Sequence, residues 1–132
     1  MARRLILDTT ALIAYERGTV DRTLLDADDL AIAAITVAEL RTGIELADTA
    51  QRAADRSRVL AAITAAVTVL DYGERTAAEH ARLIAHVRRT GTPRGAHDLI
   101  IAAHAVEQGR VVASRDAQSR FGALPGVTSI CL

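Results

Sequence analysis

Lysine is absent from this chain: all sixteen basic residues are arginine. That excludes a Walker A nucleotide loop and every enzyme that depends on a Schiff-base or charge-relaying lysine. Cysteine occurs once, as Cys131, so no internal disulfide can form and an intracellular setting is expected. Aromatic residues are limited to Tyr15, Tyr72 and Phe121, which argues against nucleic-acid binding on stacked aromatic platforms. No apolar run reaches the length needed to span a membrane. The amino-terminal "MARRLIL" resembles the start of a signal sequence, but Asp8 interrupts it and Glu16-Arg17 follow, so a soluble cytoplasmic protein is expected.

What is present describes a globular domain. Of 132 residues, 50% are apolar and 24% charged, enough to bury a real core, and a single domain over residues 1–132 is expected. The formal net charge is zero, yet it is unevenly spread. Nine Arg face thirteen acids up to residue 81, and seven Arg face three acids beyond it. The later part is locally basic, which suits either phosphate contacts or an uneven solvated surface.

Short strand-like runs alternate with helical patterns. "LIL" (Leu5–Leu7), "LAIAAI" (Leu30–Ile35), "VTVL" (Val67–Leu70), "VVAS" (Val111–Ser114) and the closing "VTSICL" read as strands. Thr36–Ala47, Gln51–Ala66, Glu74–Arg89 and Asp98–Gln108 read as helices, and "TGTPRG" (Thr90–Gly95) as a loop. Alternation of this kind implies right-handed crossovers, hence a small α/β sandwich: one parallel sheet with helices on both faces.

Four acids fall at equivalent places in that scheme. Asp8 ends the first strand and Asp116 follows the fourth; Glu39 lies in the first turn of the helix leaving the second strand; Asp98 opens the helix leading into the fourth. A crossover helix runs antiparallel to its strands, so all four are predicted on the carboxyl edge of the sheet, where open α/β sheets bind ligands. Each alone has a plainer explanation. Thr36-Val37-Ala38-Glu39 matches a capping box, and Asp8, Asp98 and Asp116 are good N-cap residues. Together they are harder to dismiss, because two carboxylates about 4 Å apart repel by about 4 kcal/mol at an effective dielectric near 20. Without lysine, either Arg or a divalent cation must balance them. An all-oxygen donor set suits Mg²⁺ or Mn²⁺ better than Zn²⁺.

The segments "ILDTTALIAYERG", "ITVAELRTGI", "PRGAHDLIIAAHA" and "VVASRDAQSRF", in this order and spacing over nearly the whole chain, resemble PIN-domain ribonucleases, specifically the VapC-type toxins of VapBC toxin–antitoxin pairs. The resemblance implies a PIN-like fold and a Mg²⁺- or Mn²⁺-dependent endoribonuclease with Asp8, Glu39, Asp98 and Asp116 as the four active-site acids. Asp8 and Asp98 would be the surest metal ligands. Thr10 stands where the family often has Ser or Asn, and Ser119-Arg120-Phe121 lacks the further acid the family often carries there. The implied partners are an RNA substrate, a cognate VapB-like antitoxin docking on the Thr36–Ala47 and Gln51–Ala66 pair, and a second copy in a homodimer.

Arg94 and Arg115 flank two of the acids and either grip substrate phosphates or compensate the acidic pocket. Arg88-Arg89 ends a helix, where the dipole alone favours cations. His80, His86, His97 and His104 lack zinc-site spacing; His97, beside Asp98, is a candidate aid to substrate binding. Ser114 either supports the site through its hydroxyl or caps a turn. Two other classes remain open. A haloacid-dehalogenase-type phosphatase would share Asp8-Thr9-Thr10 but lacks its second Asp and its lysine; a non-catalytic α/β module would hold a structural cation with the same acids.

Overall fold

The computed structural model describes residues 2–132. Five strands, β1 (Arg4–Leu7), β2 (Asp29–Ala33), β3 (Thr68–Leu70), β4 (Val111–Ser114) and β5 (Ser129–Cys131), form one sheet in the order β3-β2-β1-β4-β5. All pairings are parallel. β1 lies at the centre, with Ile6 opposite Ala31 on one side and Val112 on the other. Leu5, Ile6 and Leu7 are all fully buried, which is why this strand is continuously apolar rather than alternating.

Five helices cover the sheet: α1 (Thr9–Arg17), α2 (Ala34–Glu45), α3 (Ala50–Ala66), α4 (Glu74–Thr90) and α5 (Ala96–Gln108). Successive β1 side chains point to opposite faces. Leu5 and Leu7 join Leu12 of α1, Ile63 of α3 and Ile32. Ile6 joins Leu83 of α4, Leu99 and Ile101 of α5, and Phe121. Full burial of each such aliphatic chain is worth about 1.5–3 kcal/mol, so the sheet is clamped from both sides. α5 is apolar nearly all round because it is buried nearly all round: Leu99, Ile101, Ala102, Ala103, His104 and Ala105 lie inside. Gly109 ends it with φ 62°, in the left-handed region, and its N–H closes onto Ala105 and Val106.

Two boundaries differ from the sequence reading in ways that matter for the site. The second strand stops at Ala33 and α2 starts at Ala34, two residues earlier than expected, with Ala33 as an N-cap that makes no side-chain bond. Thr36 is therefore inside the helix and buried, not its cap, and Glu39 lies in the second turn. α5 begins at Ala96 with Gly95 as N-cap, so Asp98 is its third residue and caps nothing through its side chain. At the opposite edge, Arg110 Nη1 donates to the carbonyls of Leu5 and Asp29 and to Asp29 Oδ1, at 3.1, 3.1 and 3.0 Å, tying the starts of β1 and β2 together.

Candidate active site

Asp8 leaves the end of β1 as the last rung of its ladder, its N–H donating to the Ala113 carbonyl at 3.1 Å. Its side chain is only 4% exposed. Burial of that carboxylate is offset by three donors: Thr10 Oγ1 at 2.7 Å and Ala11 N at 2.8 Å, both to Oδ1, and Ser114 Oγ at 2.5 Å to Oδ2. The Ala11 bond makes Asp8 the N-cap of α1. The capping and site readings thus coexist, since a carboxylate accepts several bonds.

Two hydroxyls join the exits of β1 and β4. Ser114 Oγ accepts from Asp116 N at 3.0 Å while donating to Asp8; Thr10 Oγ1 accepts from Arg115 N at 3.0 Å while donating to the same carboxylate. This hydroxyl pair fixes where Asp116 starts. Asp116 is exposed, and its Oδ1 accepts from Gln118 N at 2.9 Å, capping the short turn Ala117–Ser119.

Glu39 reaches the same edge from α2. Its Oε1 lies 3.2 Å from His97 Nδ1 and 3.4 Å from Thr9 Oγ1, linking the starts of α5 and α1. Because α2 starts at Ala34, Glu39 is not engaged in a capping box and its carboxylate is free to face this edge. Asp98 is half-buried. Burial pushes its carboxyl pKa up, the charges of Asp8, Asp116 and Glu39 push it further, and Arg94 pulls it partly back. Asp98 therefore stands within electrostatic reach of the other three acids. Among the described residues, however, no three His, Cys, Asp or Glu side chains form a ready-made metal cage. Asp8 is fixed by its own donors. In chemical type the set fits a hard divalent cation: carboxylates and hydroxyls, with no thiol among them.

The sequence profile of the PIN domain matches residues 5–124, a span that takes in all four acids. The chain belongs to the PIN-domain family. Over 125 residues it is 34% identical to "Ribonuclease VapC5" of Mycobacterium tuberculosis, covering 95% of this chain and 90% of that relative. Over 107 residues it is 31% identical to the "tRNA(fMet)-specific endonuclease VapC" of Salmonella typhimurium, covering 81% and 78% of the two chains. The solved DNA-bound VapBC from Salmonella typhimurium superposes with a TM-score of 0.83 at 27% identity, covering 99% of this chain and 98% of that one. Within the PIN-domain family this is a VapC-type member.

Around the acids of this PIN domain, the two flanking arginines are partly occupied. Arg94 Nη1 donates to the carbonyls of Ser119 and Arg120, the latter at 2.9 Å, so it braces the loop after β4. Arg115 Nη1 donates to the Thr19 carbonyl at 3.2 Å, turning its side chain toward the end of α1. Arg120, whose carbonyl Arg94 holds, has φ 49° and ψ 45°, a left-handed conformation that costs a non-glycine residue on the order of 1 kcal/mol. Thr10 and Ser114 were visible in sequence as hydroxyls near the site. Thr9 and the Glu39–His97 contact were not, because they depend on how α1, α2 and α5 converge.

Proposed function

We propose that this chain is a divalent-metal-dependent endoribonuclease, the toxin of a VapBC-type pair. The observation that carries the reading is the delivery of four carboxylates from separate segments to one sheet edge, with Asp8 and Asp116 joined through the Ser114 hydroxyl and Glu39 in contact with His97 and Thr9 at the starts of α5 and α1. Asp8, Glu39, Asp98 and Asp116 would hold Mg²⁺ or Mn²⁺. Such an ion supplies charge to the non-bridging oxygens of a phosphodiester and acidifies the attacking water.

The rest of the chemistry falls to the chain's own groups. Asp8, held by Thr10, Ala11 and Ser114, keeps its place without reorganising during the reaction. Asp98, with Asp8 beside it, is the carboxylate assigned to accept the water's proton. Arg94 and Arg115 steady substrate phosphates with the N–H groups their backbone contacts leave free. With water as the nucleophile and the 3′-oxygen as the leaving group, no neighbouring 2′-hydroxyl takes part and the products carry a 5′-phosphate and a 3′-hydroxyl.

The antitoxin's place is the apolar groove of about 350 Å³ between α1, α2 and α3, walled by Ile13, Leu40, Val59, Leu60 and Ile63. Glu39 lines the same groove, so a basic side chain on an amphipathic partner segment docked there meets the acidic edge. The reading includes a homodimer in the cytoplasm; among the described residues no helix is long and apolar enough to cross a membrane. The deciding experiment is cleavage of an end-labelled RNA, abolished by EDTA and restored by Mg²⁺ or Mn²⁺, with the product ends mapped. A chain that binds the metal and leaves every RNA tested intact is a non-catalytic module, and the proposal is then wrong.

A further inference from the structure

We infer that Arg120 grips an RNA phosphate on a backbone track leading from Asp116 to the turn between α4 and α5. The inference rests on the ribonuclease reading and names a residue that reading does not use.

The backbone raises the question. Among the described residues five adopt a left-handed φ, and four of them are glycine: Gly18, Gly91, Gly109 and Gly126. The fifth is Arg120. Glycine would occupy that conformation without steric penalty, so a long side chain is kept there against local preference. Among the described residues its side chain makes no hydrogen bond or ion pair. The hydrogen bonds at this residue use its carbonyl, which accepts from Arg94 Nη1 at 2.9 Å and from Ala123 N at 3.0 Å, while the side chain is exposed. Those two donors pin the strained backbone, while the side chain stays exposed.

Position supplies the answer. Arg120 lines two hollows at once. One, of about 300 Å³, also touches Ser114 and Asp116; the other, of about 660 Å³, also touches His86, Thr90 and Arg94 and has no acid in its wall. Arg120 thus stands between a hollow that holds the Asp116 carboxylate and one with no acid in its wall. A polyanion engaged at the carboxylates is repelled by them as it leaves, and a cation at that boundary offsets the repulsion. A guanidinium offers a phosphate two parallel N–H donors. Arg94 continues the track beyond it.

The test uses a fluorescent single-stranded RNA, with cleavage by the wild-type chain measured alongside binding. Binding is measured in a D98N background so that turnover does not intrude, as a function of salt. Arg120→Gly is expected to weaken binding about tenfold and to lower the salt slope by about one. In the cleaving background it raises KM far more than it lowers kcat, and its Tm is equal to or above wild type because the backbone strain is relieved. Arg120→Gln keeps the strained backbone and shows the same binding loss, so the inference stays testable if the glycine variant folds poorly. Arg75→Gln, an exposed charge in the first turn of α4, serves as control and leaves affinity and slope unchanged. Arg120 variants that bind with wild-type affinity and slope overturn the inference. The two readings fail separately: RNA binding that needs Arg120 without any cleavage sinks the nuclease, whereas EDTA-sensitive cleavage indifferent to Arg120 sinks only the track.

Discussion

Ser114 Oγ sits 2.5 Å from Asp8 Oδ2 and donates to it, although the two residues are 106 positions apart. The parallel register of β1 and β4, with Leu7 opposite Ala113, brings the ends of both strands to the same height and makes the bond possible. The same oxygen receives Asp116 N, so one hydroxyl orients two of the four acids. Ser114→Ala removes both contacts without touching a carboxylate. Groups that orient ligands from behind cost about ten- to a hundredfold when removed, and a loss of that size in kcat is expected. Loss of a buried hydrogen bond should also lower unfolding free energy by about 1–3 kcal/mol. Single-turnover cleavage and urea unfolding of the same preparation measure the two effects. A fully active Ser114→Ala removes the hydroxyl from the machinery.

Asp98 offers the opposite combination. It caps nothing, is half-buried, and is repelled by Asp8, Asp116 and Glu39. Asp98→Asn deletes that repulsion in a side chain of nearly equal shape. The variant should melt at or above the wild-type temperature while cleaving RNA on the order of a hundredfold more slowly, about 3 kcal/mol in the barrier. Gain of stability with loss of activity is the mark of a strained functional group. Wild-type cleavage by Asp98→Asn removes it from the site.

What could be read in advance follows physical lines. Leu5–Asp8 announced itself because an apolar strand ending in a carboxylate is a local pattern, and so did the all-apolar face of α5. The start of α2 misled. Ala34-Ile35 continues an apolar run, and Thr36 to Glu39 reads as a capping box, yet the chain turns directly from strand to helix at Ala33, which carries Thr36 inside the helix, where it is buried. Arg110 was illegible: nothing near it in sequence shows that it will be buried bonding to Leu5 and Asp29. The acids could be assigned to one edge from strand–helix order alone. Their separations depend on side-chain bonds between segments, which no local pattern encodes.

Thr36 tests the helix start directly. Its Oγ1 is buried and has no hydrogen-bond partner among the described residues. A capping threonine replaced by valine would lose about 1 kcal/mol. At this interior position the swap instead removes an unsatisfied hydroxyl from an apolar site, so Thr36→Val should be neutral or stabilising by up to about 1 kcal/mol. Chemical denaturation decides between the two signs, and a clear loss of stability would restore the cap.

His104 is another buried polar side chain without a partner, both ring nitrogens lacking a hydrogen bond among the described residues. It is fully buried in α5, edge-on to the Tyr72 ring with centroids 6.2 Å apart. Burial lowers its pKa below the usual 6.5, only partly countered by the charges of Glu107 and Asp71, while His80 on α4 adds to the lowering. A base with a depressed folded pKa binds fewer protons in the native state than in the unfolded one, so unfolding free energy rises with pH in that window. The contribution is complete above about 6.5 and drains away as the pH falls toward the lowered folded value, with a slope approaching about 1.4 kcal/mol per unit for one proton. His80, also lowered by burial, adds in the same sense. Urea midpoints between pH 7.5 and 5 should therefore fall for the wild type and fall less steeply for His104→Leu, which fills the space without a titrating ring. Parallel curves for the two proteins would mean that His104 does not set the acid sensitivity of the α4–α5 layer.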